Sequence, residues 1–335
     1  MDVLLDFLST FASQLQKPTL AFLLGGMLIA ALGSNLTIPD PIYRFIVFML
    51  LITIGLRAGM ELREADLISM LLPAFFAVLL GVGIVVIGAF ALNRLPKLKG
   101  DDNYATAGLF GAVSASTLAA AMVVLDEEGI PFEAWVPALY PFMDIPALLA
   151  AIILAGMARQ KTASGGAGKA DIKAIILDSL RGSAISALLL GMLLGIITRP
   201  DSVVESFYDP LFRGLLSILM LVLGMEAWSR MAELAKVAHW YATYALISPL
   251  LHGLAAFGLG YVAHVTTGFS PGGVVLLAVM AGSSSDISGP PTLRAGIPGA
   301  NPSAYIGSST AVGTPVAIAI GIPLYVALAQ LVFDL

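Results

Sequence analysis

Cysteine is missing from this chain of 335 residues, which excludes disulfides, thiol chemistry and cysteine metal sites. Histidine occurs only three times, so a histidine-rich metal centre has little to draw on. Charge is scarce too: 12% of residues are Asp, Glu, Lys or Arg, about half the roughly 25% of a soluble domain. The net charge of −5 is modest, and the few positive charges lie in short loops, so nothing points to nucleic acid. The first seventeen residues lack the basic start of a signal peptide, with Asp2 and Asp6 in its place. They read as a retained interfacial helix with Leu4, Leu5, Leu8, Phe11 and Leu15 on its apolar side.

What is abundant is apolar sequence. The chain is 58% hydrophobic with a mean hydropathy of +0.93, the profile of an integral membrane protein. Ten spans are predicted, at about 18–33, 42–60, 67–92, 104–125, 135–157, 175–198, 210–228, 237–265, 272–293 and 303–333. Five basic residues (Lys17, Arg57, Arg63, Arg199, Arg213) fall on one side of this topology and the other twelve of seventeen on the opposite side. The positive-inside rule makes the richer side cytoplasmic, with both termini outside.

Two of these segments carry an interruption. Gly282-Ser283-Ser284-Ser285-Asp286-Ile287-Ser288-Gly289-Pro290-Pro291 follows half a span of apolar residues, and Gly111-Ala112-Val113-Ser114-Ala115-Ser116-Thr117 does the same in the first half of the chain. Unsatisfied backbone costs several kcal/mol in hydrocarbon, so broken helix survives only in a protein interior or along a cavity. A pair of interrupted segments in corresponding positions of two halves marks a transporter's binding site. The halves also repeat weakly. Asp40-Pro41-Ile42-Tyr43-Arg44 matches Asp209-Pro210-Leu211-Phe212-Arg213, and Gly59-Met60-Glu61 matches Gly224-Met225-Glu226. Five spans per half is an odd number, so the second repeat enters the membrane inverted.

Asp144 and Asp286 are the acids well inside spans, with no lysine or arginine deep enough to neutralise them. An intramembrane carboxylate costs at least about 2.5–3.5 kcal/mol, so each is a candidate functional group. A bound cation is the simplest partner, since hard cations take oxygen ligands; a proton is the competing one. For Asp144 a structural bond to a neighbouring helix is a further alternative. Two facing helix N-termini with Ser114, Ser116, Ser283, Ser284 and Ser285 suit a small oxyanion. Serines can also serve only to bring helices close. Ser308, Ser309, Thr310 and Thr314 line one stretch of span ten and either complete a cation site or bond backbone. His252 reads as a hydrogen-bonded packing residue. Gly165 to Lys169 resembles a phosphate loop only superficially, since Ala163 stands where the motif needs Gly and Ala170 where it needs Ser or Thr, and it reads as a linker.

Four stretches, Phe110 to Ser114, Tyr140 to Ala147, Glu205 to Gly214 and Ser283 to Pro298, closely resemble the cyanobacterial sodium-dependent bicarbonate transporters, the SbtA family. The resemblance covers nearly the whole chain. It implies an all-α integral membrane protein of ten helices in two inverted five-helix repeats, with two broken crossing helices and elevator-type movement like that of sodium–bile acid symporters. A gate domain would comprise residues 1–66 and 175–236, a core 67–158 and 237–335, with a cytoplasmic loop at 159–174. The implied activity is Na⁺-coupled HCO₃⁻ uptake across the plasma membrane for a carbon-concentrating mechanism, by a homotrimer that binds a PII-like regulatory protein on its cytoplasmic face. Gly111, Ala112, Ser114, Ala115, Ser116, Thr117 and Ser283 to Ser285 carry over as the bicarbonate region. Asp144, Asp286, Ser309 and Thr310 carry over as the sodium region; no organic cofactor and no enzymatic activity is implied. The rivals are a symporter of the same fold for another small anion or driven by protons, an anion channel, and an intramembrane aspartyl protease. The last is disfavoured because neither aspartate has a Gly-x-Gly-Asp setting.

Overall fold

The computed structural model describes residues 18–63, 67–96, 98, 100–162, 177, 181, 183–234, 239–286 and 288–335. The predicted interfacial helix at 1–17 and most of the cytoplasmic loop lie outside them. The described residues form helices and no strands. In order these are α1 (Pro18–Ala31), α2 (Asp40–Leu62), α3 (Leu67–Leu92), α4 (Gly100–Gly111), α5 (Ala115–Glu128), α6 (Tyr140–Thr162), α7 (Ser183–Ile197), α8 (Asp209–Leu234), α9 (His239–Thr267), α10 (Pro271–Gly282), α11 (Gly289–Gly296), α12 (Pro302–Ser308) and α13 (Ile322–Phe333). Two π-helical turns, Ser309–Gly313 and Ala317–Gly321, join α12 to α13 around Thr314–Val316.

Among the described residues, seven helical stretches are long and apolar enough to cross a membrane. Ten spans were predicted. The segments expected as spans one, six and nine are represented by shorter apolar helices, Ala21–Ala31, Ser186–Ile197 and Pro271–Gly282. In the last case the reason is local: the helix stops where the serine run begins. α4 and α5 together make one stretch, Gly100–Glu128, interrupted at 112–114. Leu32, Ile68 and Ile197 are at least two-thirds exposed, at 77%, 74% and 69%, as lipid-facing side chains of a multi-pass membrane protein are. Pro73, Pro146 and Pro249 sit inside α3, α6 and α9 without ending them.

Glycine fixes the closest helix pairs. Gly55 and Gly59 of α2 face Gly191 and Gly195 of α7, and a Cβ on Gly191 would stand 2.6 Å from the Ile52 carbonyl oxygen. α1 and α8 meet in the same way, Gly26 against Leu221 and Gly224 against Leu23. Lipid gives no hydrophobic drive for helices to associate, so van der Waals contact between close backbones has to supply it.

The two interrupted segments lie at the centre. Every residue from Ala105 to Leu125 is buried, and so is every residue from Gly272 to Ser285. Protein therefore encloses both breaks, as unpaired backbone at membrane depth requires.

Candidate functional site

The break between α4 and α5 begins at Gly111. A Cβ there would meet the Gly81 carbonyl oxygen at 2.8 Å and Val85 at 2.6 Å, so glycine allows α4 to end against α3. Ser114 then caps α5: its backbone is extended, and its Oγ accepts from Thr117 N at 3.1 Å. The second break runs from Ser283 to Ser288. Ser283 Oγ donates to the Met280 carbonyl at 2.8 Å, closing off α10.

Direct hydrogen bonds tie the breaks together. Ser114 N donates to Ser283 Oγ at 2.9 Å, and Ser285 N donates to the Leu109 carbonyl at 2.9 Å. Asp144, on the second turn of α6, joins both. Its Oδ1 accepts from Val113 N at 3.0 Å, and its Oδ2 accepts from Ser288 Oγ at 3.1 Å. Asp144 is fully buried, with each oxygen already supplied with a donor.

The hydroxyl protons can be ordered by counting donors, since each hydroxyl has one. Ser116 Oγ donates to Asp286 Oδ2. Ser114 must therefore be the donor in its 3.1 Å bond to Ser116, and Thr117 Oγ1 donates to Ser114 Oγ at 2.9 Å. A chain of three hydroxyls thus ends on Asp286. A second group ends on Asp144. Ser288 gives its proton to Asp144, so Ser285 (3.0 Å) and Tyr140 (3.2 Å) donate to Ser288. Ser284 Oγ bonds Ser309 Oγ at 2.8 Å, which brings the π-helical turn of span ten to the same place. Gly313 of that turn packs on the break: a Cβ on it would stand 2.7 Å from Phe110 and 3.1 Å from Ser284 Oγ.

Asp286 differs from Asp144 in one respect. Its Oδ1 is buried and has no hydrogen-bond partner among the described residues. A buried carboxylate oxygen without a donor is costly, and a cation is the natural relief. Groups of three or more His, Cys, Asp or Glu able to hold a metal are absent among the described residues. The available donors are hydroxyls, carbonyls at the C-terminal ends of α4 and α10, and this carboxylate. That set suits a hard monovalent ion, not a transition metal.

The two expected anion-binding helix ends turn out unequal. α5 keeps open donors: the N–H groups of Ala115 and Ser116 bond none of the described residues. α11 does not, because Gly289 N is taken by Ser285 Oγ at 2.9 Å and the next two residues are Pro290 and Pro291, which have no N–H. The expectation of two facing N-termini therefore holds for α5 alone.

Of the residues predicted from sequence, Ser114, Ser116, Thr117, Ser283, Ser284, Ser285, Asp144, Asp286 and Ser309 are joined directly or through one another at the two breaks. Ala112 and Ala115 supply backbone there. Gly111 acts through helix packing, and Thr310 is buried on the π-helical turn beside Ser309. Ser288 belongs to the serine run read from the sequence, while two participants were not singled out there: Tyr140 and the Val113 N–H. Tyr140 lies one helical turn before Asp144, a spacing that could have flagged it. His252 is not hydrogen-bonded as expected. Its ring lies 6.2 Å from that of Tyr244, and Nδ1 is buried without a partner among the described residues.

A family model described as the Na⁺-dependent bicarbonate transporter superfamily matches residues 18–330. None of the curated proteins compared matches the chain.

Proposed function

The chain belongs to the Na⁺-dependent bicarbonate transporter superfamily, a family of transporters and not of enzymes, and on that premise we propose that it is a symporter carrying bicarbonate inward with sodium. Bicarbonate docks at the start of α5, where the Ala115 and Ser116 N–H groups and the positive helix end receive its oxygens. Sodium binds on the carboxylate side, at Asp286, with Ser284, Ser309 and Thr310 and the helix-end carbonyls around it. Asp144 fixes the spacing of the two breaks and acts on the ion at longer range, since both of its oxygens already accept bonds. The observation that carries this reading is the unpartnered Oδ1 of Asp286 at the junction of two broken helices.

The coupling has an electrical rationale. Moving one negative charge inward against 100 mV costs about 2.3 kcal/mol, which one accompanying Na⁺ cancels. Alternating access is elevator-like, with the core (67–158 and 237–335) moving against the gate (1–66 and 175–236) and 159–174 as the connecting loop. Glycine-mediated pairing of α1 with α8 and of α2 with α7 supports the inverted repeat on which such movement would rest, because a repeat produces such reciprocal pairs. A plasma-membrane homotrimer with both termini outside, serving a carbon-concentrating mechanism under a PII-like regulator, completes the proposal on the strength of the family resemblance.

The test is uptake of labelled bicarbonate into proteoliposomes under an inward Na⁺ gradient and again with K⁺ in its place. Uptake with Na⁺ alone is expected; uptake indifferent to the cation would overturn the symporter.

A further inference from the structure

A cavity of about 250 Å³ lies away from the breaks and is lined by Arg57, Met122, Asp126, Pro131, Phe132 and Ala134. It sits at the far end of α5 from the first break. Asp126 is eleven residues beyond Ala115, or about 16 Å along the helix.

Its walls are held in place. Gly129 ends α5 in a left-handed conformation (φ 67°), and the following segment is pinned by Glu133, which accepts from Ser270 N at 2.9 Å and Ser270 Oγ at 2.5 Å. Trp135 stacks on Phe269 with ring centroids 5.8 Å apart. On the other side, the Arg57 guanidinium is oriented by the first residue of α8: Nε and Nη2 reach Asp209 Oδ1 at 3.0 and 2.8 Å. It also lies 5.6 Å from the Phe212 ring. Those contacts use Nε and Nη2, and Nη1 bonds none of the described residues.

Asp126 is an exposed residue that lines the cavity with Arg57, near Arg213 and Asp209 as well, and no hydrogen bond or ion pair joins it to either arginine among the described residues. An oriented guanidinium and an unbonded carboxylate thus line one gap without closing on each other. A guanidinium edge offers N–H donors to two oxygens of a planar oxyanion. An ionised carboxylate can only accept, so across such a gap it favours a ligand that carries an O–H.

We propose that this cavity is a transit site for a protonated planar oxyanion, with Arg57 holding the charged oxygens and Asp126 accepting the O–H. The inference rests on the reading of the protein as a bicarbonate transporter and extends it. The site selects bicarbonate from anions of the same shape and charge that lack a proton, such as nitrate, before the anion reaches α5.

The experiment is initial-rate bicarbonate uptake into proteoliposomes under an inward Na⁺ gradient, with nitrate as competitor, for the parent, Asp126→Asn, Asp126→Glu and Arg57→Gln. Uptake by the parent tests the transporter reading by itself. Asp126→Asn, which breaks no bond in the structure, is expected to raise KM about tenfold, with the maximal rate changing less than about twofold. It should also make nitrate an effective inhibitor, because an amide can donate to it. Asp126→Glu should restore much of the discrimination. Arg57→Gln should raise KM further. An Asp126→Asn protein with the KM and nitrate resistance of the parent would overturn the inference while leaving the transporter reading intact. A loss of maximal rate at unchanged KM would overturn it as well.

Discussion

Replacing Asp286 by asparagine removes one charge and almost no volume. Ser116 Oγ keeps an acceptor, but the bond falls from the charged class, about 1.5–3 kcal/mol, to the neutral class, about 0.5–1.5 kcal/mol. The new amide N–H₂ takes the place of an oxygen that has no donor, and an unpaired buried donor costs about 1–3 kcal/mol. Against these losses stands relief from burying a charge, at least about 2.5–3.5 kcal/mol on insertion scales. The sums nearly balance, so in K⁺ the variant should be as stable as the parent to within about 1 kcal/mol. Sodium separates them. An ion at a hundred times its Kd stabilises the folded parent by about 2.7 kcal/mol, and the variant should gain none of it. The assay is thermal unfolding of purified protein in Na⁺ and in K⁺, alongside bicarbonate uptake. Equal stability in K⁺, no sodium-dependent shift and no coupled uptake is the expected triad. A variant that keeps its sodium shift and its uptake would refute the assignment. One that is already unstable in K⁺ would make Asp286 a structural residue.

Asp144→Ala should behave differently, because it strands the Val113 N–H and the Ser288 hydroxyl together; those two groups cost about 2–6 kcal/mol, offset in part by removal of the buried charge, and the net loss should be the same in Na⁺ and in K⁺ in the unfolding assay. Ser283→Ala leaves Ser114 N without its acceptor at the contact between the breaks, and should cost about 1–3 kcal/mol in unfolding measurements. Gly191→Leu forces a side chain onto the Ile52 carbonyl and should destabilise the α2–α7 pair by about 1–3 kcal/mol or more, while Gly25→Leu on α1, whose Cβ direction is open, should be tolerated.

Much of this architecture is legible in one dimension. Low charge and long apolar runs force helices into a membrane, because no other open structure satisfies backbone groups there. Two polar interruptions enclosed by apolar sequence could only be buried breaks, and Asp144 and Asp286 stand out because acids are expensive at that depth. The three shorter apolar helices were harder to foresee, since hydropathy measures composition and not where a helix stops.

What the sequence by itself determined is therefore the class of the protein, the two breaks and the identity of the oxygens that line them. Only the tertiary structure decided how those oxygens divide the work. In the sequence Asp144 and Asp286 are both acids at membrane depth, with a structural bond left open for Asp144 alone. One lies where Val113 N and Ser288 satisfy both of its oxygens, and the other keeps one oxygen bare. Both helix starts follow a serine-bearing break; the sequence already shows that Pro290 and Pro291 lack N–H groups, and the structure adds that Ser285 takes the remaining Gly289 N–H, which silences α11 while α5 keeps its donors. The reason is physical: a hydrogen bond depends on distance and on which lone pair or proton is still unused. Those quantities exist only once the segments, as far apart in the chain as Ser116 and Asp286, have been packed against each other.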